Sequence, residues 1–371
     1  MQISELAGLT TKVLWAAFLL SAVFGAIAQR THFCTMGAVS DIVNMGDWTR
    51  MRQWALAIGV AMIGFATLGY VGLIDPSKTM HAITRWIGLS AAVGGALFGF
   101  GMVLGSGCGS KTLVRIGGGS LKSLVVFFVM GIAAFATLKG ITAVLRVATV
   151  DQVAIDMPGG VSVWQWVAAA TGIKPALALL ALGLAFGGIL SLWALLKKDF
   201  INFENLLAGV GLGLVVAGMW WVSGGLGYVA EHPETLQEAF LATNSGRAEA
   251  LSFVAPMAYT LDWLMFFSDK SKVLTIGVVS VAGVVIGSAV CALATKTFRW
   301  EGFGGVADVG NHLVGAVMMG VGGVTAMGCT VGQGLSGIST LSANSFVAVA
   351  GILAGAVLAL KYQIWRLDRA G

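Results

Sequence analysis

Apolar residues run through this chain in blocks of about twenty, separated by short polar connections. A hydrocarbon core about 30 Å thick asks for that many apolar residues in a helix. The blocks predict spans from about 13 to 29, 54 to 74, 87 to 107, 121 to 139, 175 to 196, 205 to 226, 273 to 293, 310 to 328 and 344 to 362. A further apolar stretch, 250 to 268, contains Pro256 and Asp262, which would penalise a lipid-exposed helix. It is expected at the interface or in a re-entrant position. The pattern reads as an all-α polytopic membrane protein with about nine transmembrane helices plus short broken or re-entrant segments.

Composition agrees and excludes other classes. Of 371 residues, 57% are hydrophobic and only 11% charged, against about a quarter charged in a soluble domain. The formal charge of +5 comes from scattered Lys and Arg and never from a run, so nucleic acid is not an expected partner; the lipid bilayer is. Charge instead sets topology. Lys197, Lys198 and the tail with Lys361, Arg366 and Arg369 belong in the cytoplasm, whereas the segment with Glu231, Glu234, Glu238 and Glu249 tolerates the outside. Nine spans satisfy both with the N-terminus outside and the C-terminus cytoplasmic. The stretch from 140 to 173 then lies outside, with Trp164 and Trp166 suited to the headgroup layer. Residues 13 to 28 resemble a secretory signal but lack a basic cluster before them, and are read as the first retained span.

The chain repeats itself. Gly94 to Cys108 laid over Gly315 to Cys329 matches Gly94 with Gly315, Gly99 with Gly320, Gly101 with Gly322, Gly107 with Gly328 and Cys108 with Cys329. These segments end the third and eighth spans, which cross in opposite senses. Two pseudo-symmetric, inverted halves are therefore expected within a single transmembrane transport domain (1–371), the first over 12–140 and the second over 273–371, with 141–272 linking them.

Three cysteines lie where such a repeat would break its helices. Cys34, Cys108 and Cys329 each end or separate apolar stretches, among glycine and small hydroxyl residues. Helix is poorly sustained there: Gly107, Gly109, Gly328, Gly332 and Gly334 each cost about 1 kcal/mol relative to alanine. Irregular backbone at membrane depth needs protein or a water-filled cavity around it. Cys291 has no glycine break beside it and reads as packing, the commoner role of a buried cysteine. Four dispersed histidines and no C-x-x-C pair give no metal site, and no cofactor is expected. Two roles stay open: redox catalysis, if folding brings Cys108 and Cys329 together, and recognition, because a thiol is a weak donor and a polarizable acceptor suited to a soft sulfur atom. Arg30, Lys111 and Arg115 flank the same elements, as do Lys296 and Arg299, and favour an anion unless they only anchor topology. Gln333 and Ser336 are candidate anion contacts that could equally cap the broken helices. Asp41 and Asp308 recur in both halves, as caps or as partners of Arg30 and Arg299. No P-loop is evident, which argues against ATP hydrolysis by this chain.

At these residues the sequence resembles the YeeE/YedE family of bacterial inner-membrane sulfur-transport proteins. The resemblance rests on R-x-x-F-C from Arg30 to Cys34, G-x-G-C…R-x-G-G-G-S from Gly105 to Ser120, and G-C-x-x-G-Q-G-L-S-G from Gly328 to Gly337. It implies a permease importing thiosulfate or a related sulfur anion, with Cys34, Cys108 and Cys329 transiently hydrogen-bonding the terminal sulfur. It also implies a cytoplasmic sulfur-carrier partner of the TusA type. Two alternatives stay open: a membrane sulfurtransferase or thiol oxidoreductase forming a cysteine persulfide, and a transporter of another sulfur or selenium species.

Overall fold

A computed structural model of the chain describes residues 3–369. Among the described residues, nine helical spans are long and apolar enough to cross a membrane, and each coincides with a predicted block. The protein is an all-α, multi-pass membrane protein. The first three helices are α1 (Ile3–Arg30), α2 (Thr35–Met45) and α3 (Thr49–Val71); then come α4 (Gly88–Leu104), α5 (Gly109–Gly117) and α6 (Leu121–Lys139). Short α7 (Ile141–Ala148) and α8 (Val163–Thr171) precede α9 (Pro175–Leu195), and α10 (Phe203–Leu206) and α11 (Leu212–Trp221) share one span with π-helical turns. The chain ends with α12 (Val254–Met265), α13 (Ile276–Ala294), α14 (Val306–Thr325), a π-helical segment over Thr330–Gly337, and α15 (Ala343–Asp368).

Local chemistry sets the helix starts. Ser120 Oγ accepts from the Ser123 N–H at the head of α6, and Thr275 Oγ1 accepts from the Val278 N–H at the head of α13. Pro175 occupies the first turn of α9, where its missing N–H costs nothing.

In lipid, helices associate by close packing rather than by expelling water, so small residues decide which faces meet. Here α4 lies against both α14 and α15. A Cβ on Gly95 or Gly99 would strike the carbonyls of Ala348 or Ile352, and one on Gly351 or Gly355 would strike those of Ala92 or Ala96. The two G-x-x-x-G pairs therefore face one another across α4 and α15. Against α14 the packing is reciprocal: Gly94 abuts Gly322 while Gly101 abuts Gly315. Because Gly94 matches Gly315 and Gly101 matches Gly322 in the repeat, each copy offers its partner the same surface, as in a two-fold contact.

Two expectations are refined. The stretch 250 to 268 does not form a full span: α12 is 12 residues long, about 18 Å, too short to cross. Its leading end is buried through Phe253, Val254 and Met257, while Leu264, Met265 and Phe267 are exposed at its other end. Trp164 is buried in the core instead of serving the headgroup layer, and only Trp166 of the pair keeps an exposed ring.

Candidate functional site

Each candidate cysteine is the residue from which a new helical segment starts. Cys34 stands in extended backbone at the head of α2, Cys108 at the head of α5 and Cys329 at the head of the π-helical segment. The turn before each is built alike. His32, Ser106 and Met327, each two residues upstream of its cysteine, adopt left-handed backbone with φ of 52°, 56° and 57°. That reversal ends the preceding helix and turns the free amides of the next one toward the cysteine.

The thiols use those amides in place of a cap hydroxyl. Cys34 Sγ accepts from the Gly37 N–H at 3.4 Å, and Cys329 Sγ accepts from the Gly332 N–H at 3.5 Å. Cys108 Sγ instead lies 3.3 Å from Ser110 Oγ. Such a thiol sits at the positive end of a helix, a place that favours negative charge. All three are buried, and Cys108 is the shared neighbour, within electrostatic range of Cys34 on one side and Cys329 on the other. The backbone of Phe253, at the head of α12, also reaches Cys329.

Side chains past each break brace it. Arg115 Nη1 donates to the Ser106 carbonyl at 2.8 Å, and Gln333 Nε2 donates to the Ala326 carbonyl at 2.7 Å while Ser345 Oγ donates to Gln333 Oε1 at 2.6 Å. Ser336 Oγ donates to the Leu251 carbonyl at 2.7 Å, tying the π-helical segment to the approach of α12. Gln333 and Ser336 thus have their hydrogen bonds within the protein.

Cavities approach the thiols from opposite ends of the helices. One, of about 570 Å³, is lined by His32, Lys111, Arg115, Lys296, Arg299 and Glu301, at the start of α6 and the end of α13. It is the basic end. The other, of about 230 Å³, lies by the end of α6 and the start of α13 and reaches Met327 and Gly328, directly before Cys329. Lys111 lies within electrostatic range of both Cys34 and Cys108.

The remaining sequence candidates are placed as follows. Arg30 packs its guanidinium over the Phe203 ring, 5.7 Å from the centroid. Asp41 pairs with Arg50 at 3.4 Å, not with Arg30, and Asp308 takes the Gly304 N–H and His312, not Arg299. Gly107 leaves room for Lys111, Gly109 for Phe253, Gly332 for Ser252 and Gly334 for Trp54. Residues missed in the sequence are Phe253, Trp54, Glu249 and Ser280. Trp54 stacks on Phe33 at 4.6 Å between ring centroids and touches the Gly334 position, joining the first break to the third. Among the described residues, no three His, Cys, Asp or Glu side chains group closely enough to hold a metal ion.

Residues 30–358 match the family described as sulphur transport, which takes in all three breaks. The chain belongs to the sulphur transport family. Within the family it is similar to the thiosulfate transporter TsuA of Spirochaeta thermophila, 25% identical over 350 residues that cover 91% of this chain and 94% of that protein. It is similar also to the thiosulfate transporter TsuA of Escherichia coli, 26% identical over 337 residues covering 86% of each.

Proposed function

We propose that this protein is an inner-membrane permease that imports thiosulfate or a closely related sulfur anion, passing it along Cys329, Cys108 and Cys34. One observation carries the reading: three buried thiols head three broken helices, with Cys108 in range of both others and a cavity at each end of the series. The family and the TsuA relatives supply the class of solute. Transport, rather than an enzymatic turnover, is the activity inferred.

The physics explains why thiols suit the task. Moving a bare ion into low dielectric costs on the order of 20 kcal/mol by the idealised Born estimate. Helix-start amides replace part of the lost hydration, and S–H groups donate weakly to a soft terminal sulfur. Weak, successive contacts let the ion leave each step. In this reading the basic cavity, with Lys111 and Arg115, serves as the cytoplasmic exit, with the N-terminus outside and the C-terminus inside. Two inverted halves, related through the reciprocal Gly94–Gly322 and Gly101–Gly315 contacts, would frame the path. A TusA-type carrier, where present, would receive sulfur at that exit.

The test is uptake of labelled thiosulfate by cells lacking other importers, with Cys34, Cys108 and Cys329 replaced one at a time by alanine. Lost uptake at normal protein levels supports the reading, and full uptake by all three variants defeats it. Stable sulfane sulfur on a cysteine of the purified protein after substrate exposure would favour the persulfide-forming alternative.

A further inference from the structure

The smaller cavity, of about 230 Å³, has room for a small oxyanion with several waters, each occupying about 30 Å³ in the liquid. Its wall holds two buried polar atoms without a hydrogen-bond partner: Arg146 Nε on α7 and Ser280 Oγ on α13. Unpaired buried donors are uncommon in folded proteins, and both of these side chains line one cavity. Arg146 is steadied through Nη1, 3.1 Å from Asp151, which leaves the other edge of its guanidinium for a ligand.

In the same wall is a buried carboxyl, Glu249. Its backbone is pinned, because its N–H donates to Ser223 Oγ at 3.1 Å and its carbonyl accepts from the same hydroxyl. Oε1 accepts from the Ser245 N–H at 2.6 Å, and no cation pairs with it among the described residues. Burial pushes the carboxyl above the usual carboxylate range.

The other groups around it leave Glu249 as the titrating member. Besides Arg146, α12 offers Tyr259, while α6, α13 and α14 offer only uncharged residues such as Leu138, Ser280 and Val324, and Met327, in the turn after α14, is uncharged too. Arg247, two residues away, donates to the Ala82 carbonyl and lines an adjoining cavity with Arg85, Arg146 and Asp151. His81, in the neighbouring loop, faces the Trp220 ring, and burial lowers its pKa to about 4, so it is neutral in the same range.

We propose that this cavity is the outer loading site for the anion, held by Arg146 and Ser280, and that Glu249 gates it: the neutral carboxyl admits an anion and the ionised one repels it. The inference rests on the permease reading for its direction of travel. Ionisation puts a negative charge directly in the wall that an anion must pass, in a setting where water screens it poorly.

The test is uptake by proteoliposomes at fixed internal pH, with thiosulfate, sulfite and sulfate as labelled solutes. As the outside pH rises through the carboxyl's raised titration range, wild-type uptake should fall about tenfold, whereas Glu249→Gln should stay near the acidic rate throughout. Arg146→Gln should lose affinity about tenfold with the pH profile retained. A Glu249→Gln protein that keeps the wild-type profile overturns the gate. A Glu249-dependent profile with sulfite or sulfate but no uptake of thiosulfate would overturn the substrate assignment and uphold the gate. Infrared difference spectra on wild-type protein give a check that needs no transport: a protonated-carboxyl band should persist at pH above the usual carboxylate range and vanish in Glu249→Gln, and its absence from wild type there overturns the inference.

Discussion

Ser106 and Met327, matched positions of the internal repeat, both take left-handed backbone two residues before the cysteine that starts the next segment. Neither residue favours that conformation, which costs an L-residue about 1–2 kcal/mol. Both copies keep the turn because it swings the following helix-start amides toward a thiol.

Glycine at either position should therefore be tolerated. Ser106→Gly or Met327→Gly relieves the backbone cost and gives back part of it as chain entropy, leaving a net change of about 0 to 1 kcal/mol in favour of the fold. Ser106→Val should lose about 1–2 kcal/mol, since a β-branched side chain resists positive φ. Thermal unfolding in detergent checks both signs.

The α4–α15 contact makes a second prediction. Gly99→Val would drive a side chain into the Ile352 carbonyl, and the cost should exceed about 3 kcal/mol, with loss of folded protein from the membrane. Gly188→Val, on α9 with nothing within 4 Å of the new Cβ, should be accepted within about 0.5 kcal/mol. Membrane levels and thermal midpoints of the two variants give the comparison.

At the basic end, Lys111 and Arg115 should separate. Lys111→Gln removes charge beside Cys34 and Cys108 without breaking any hydrogen bond given above, so uptake should fall about tenfold at unchanged stability. Arg115→Gln also frees the Ser106 carbonyl, and should lower stability by about 1–3 kcal/mol as well as uptake. Uptake measured beside thermal midpoints distinguishes them.

The nine spans were legible because each is an uninterrupted apolar block, a signal that needs no tertiary information. The breaks were legible at Cys108 and Cys329 because the repeat aligned them, and at Cys34 because glycine and polar residues interrupt the apolar run. The short helix α12 showed only as an apolar stretch carrying Pro256 and Asp262; its placement depends on Ser252 and Phe253 fitting beside Gly332 and Gly109, contacts far apart in the chain. Of the two roles open to Asp41, cap or partner of Arg30, the pairing is not formed for a related reason, since α3 brings Arg50 back beside it while Arg30 turns to Phe203. For Gln333 and Ser336 the sequence left anion contact and capping open because their carbonyl and hydroxyl partners, Ala326, Ser345 and Leu251, are set by packing. Glu249 and Ser280 had no local signal at all, one lying in a loop and the other in an ordinary span.

Thiol chemistry gives a graded expectation at Cys329. Serine keeps a donor but loses the soft, polarizable atom, and alanine loses both, so uptake should fall in the order cysteine, serine, alanine. Because Cys329 Sγ takes the Gly332 N–H, the alanine variant should also lose about 1 kcal/mol of stability. Initial uptake rates corrected for protein level show whether the order holds.

The central claim concerns the middle thiol. Purified protein in liposomes, carrying Cys108→Ala, can be assayed for labelled thiosulfate uptake against the wild type with folding checked by thermal midpoint. Uptake reduced at least about tenfold, or about 1.4 kcal/mol at the rate-limiting contact, is the predicted result. A folded Cys108→Ala protein that imports thiosulfate at the wild-type rate would contradict a path through the three sulfurs.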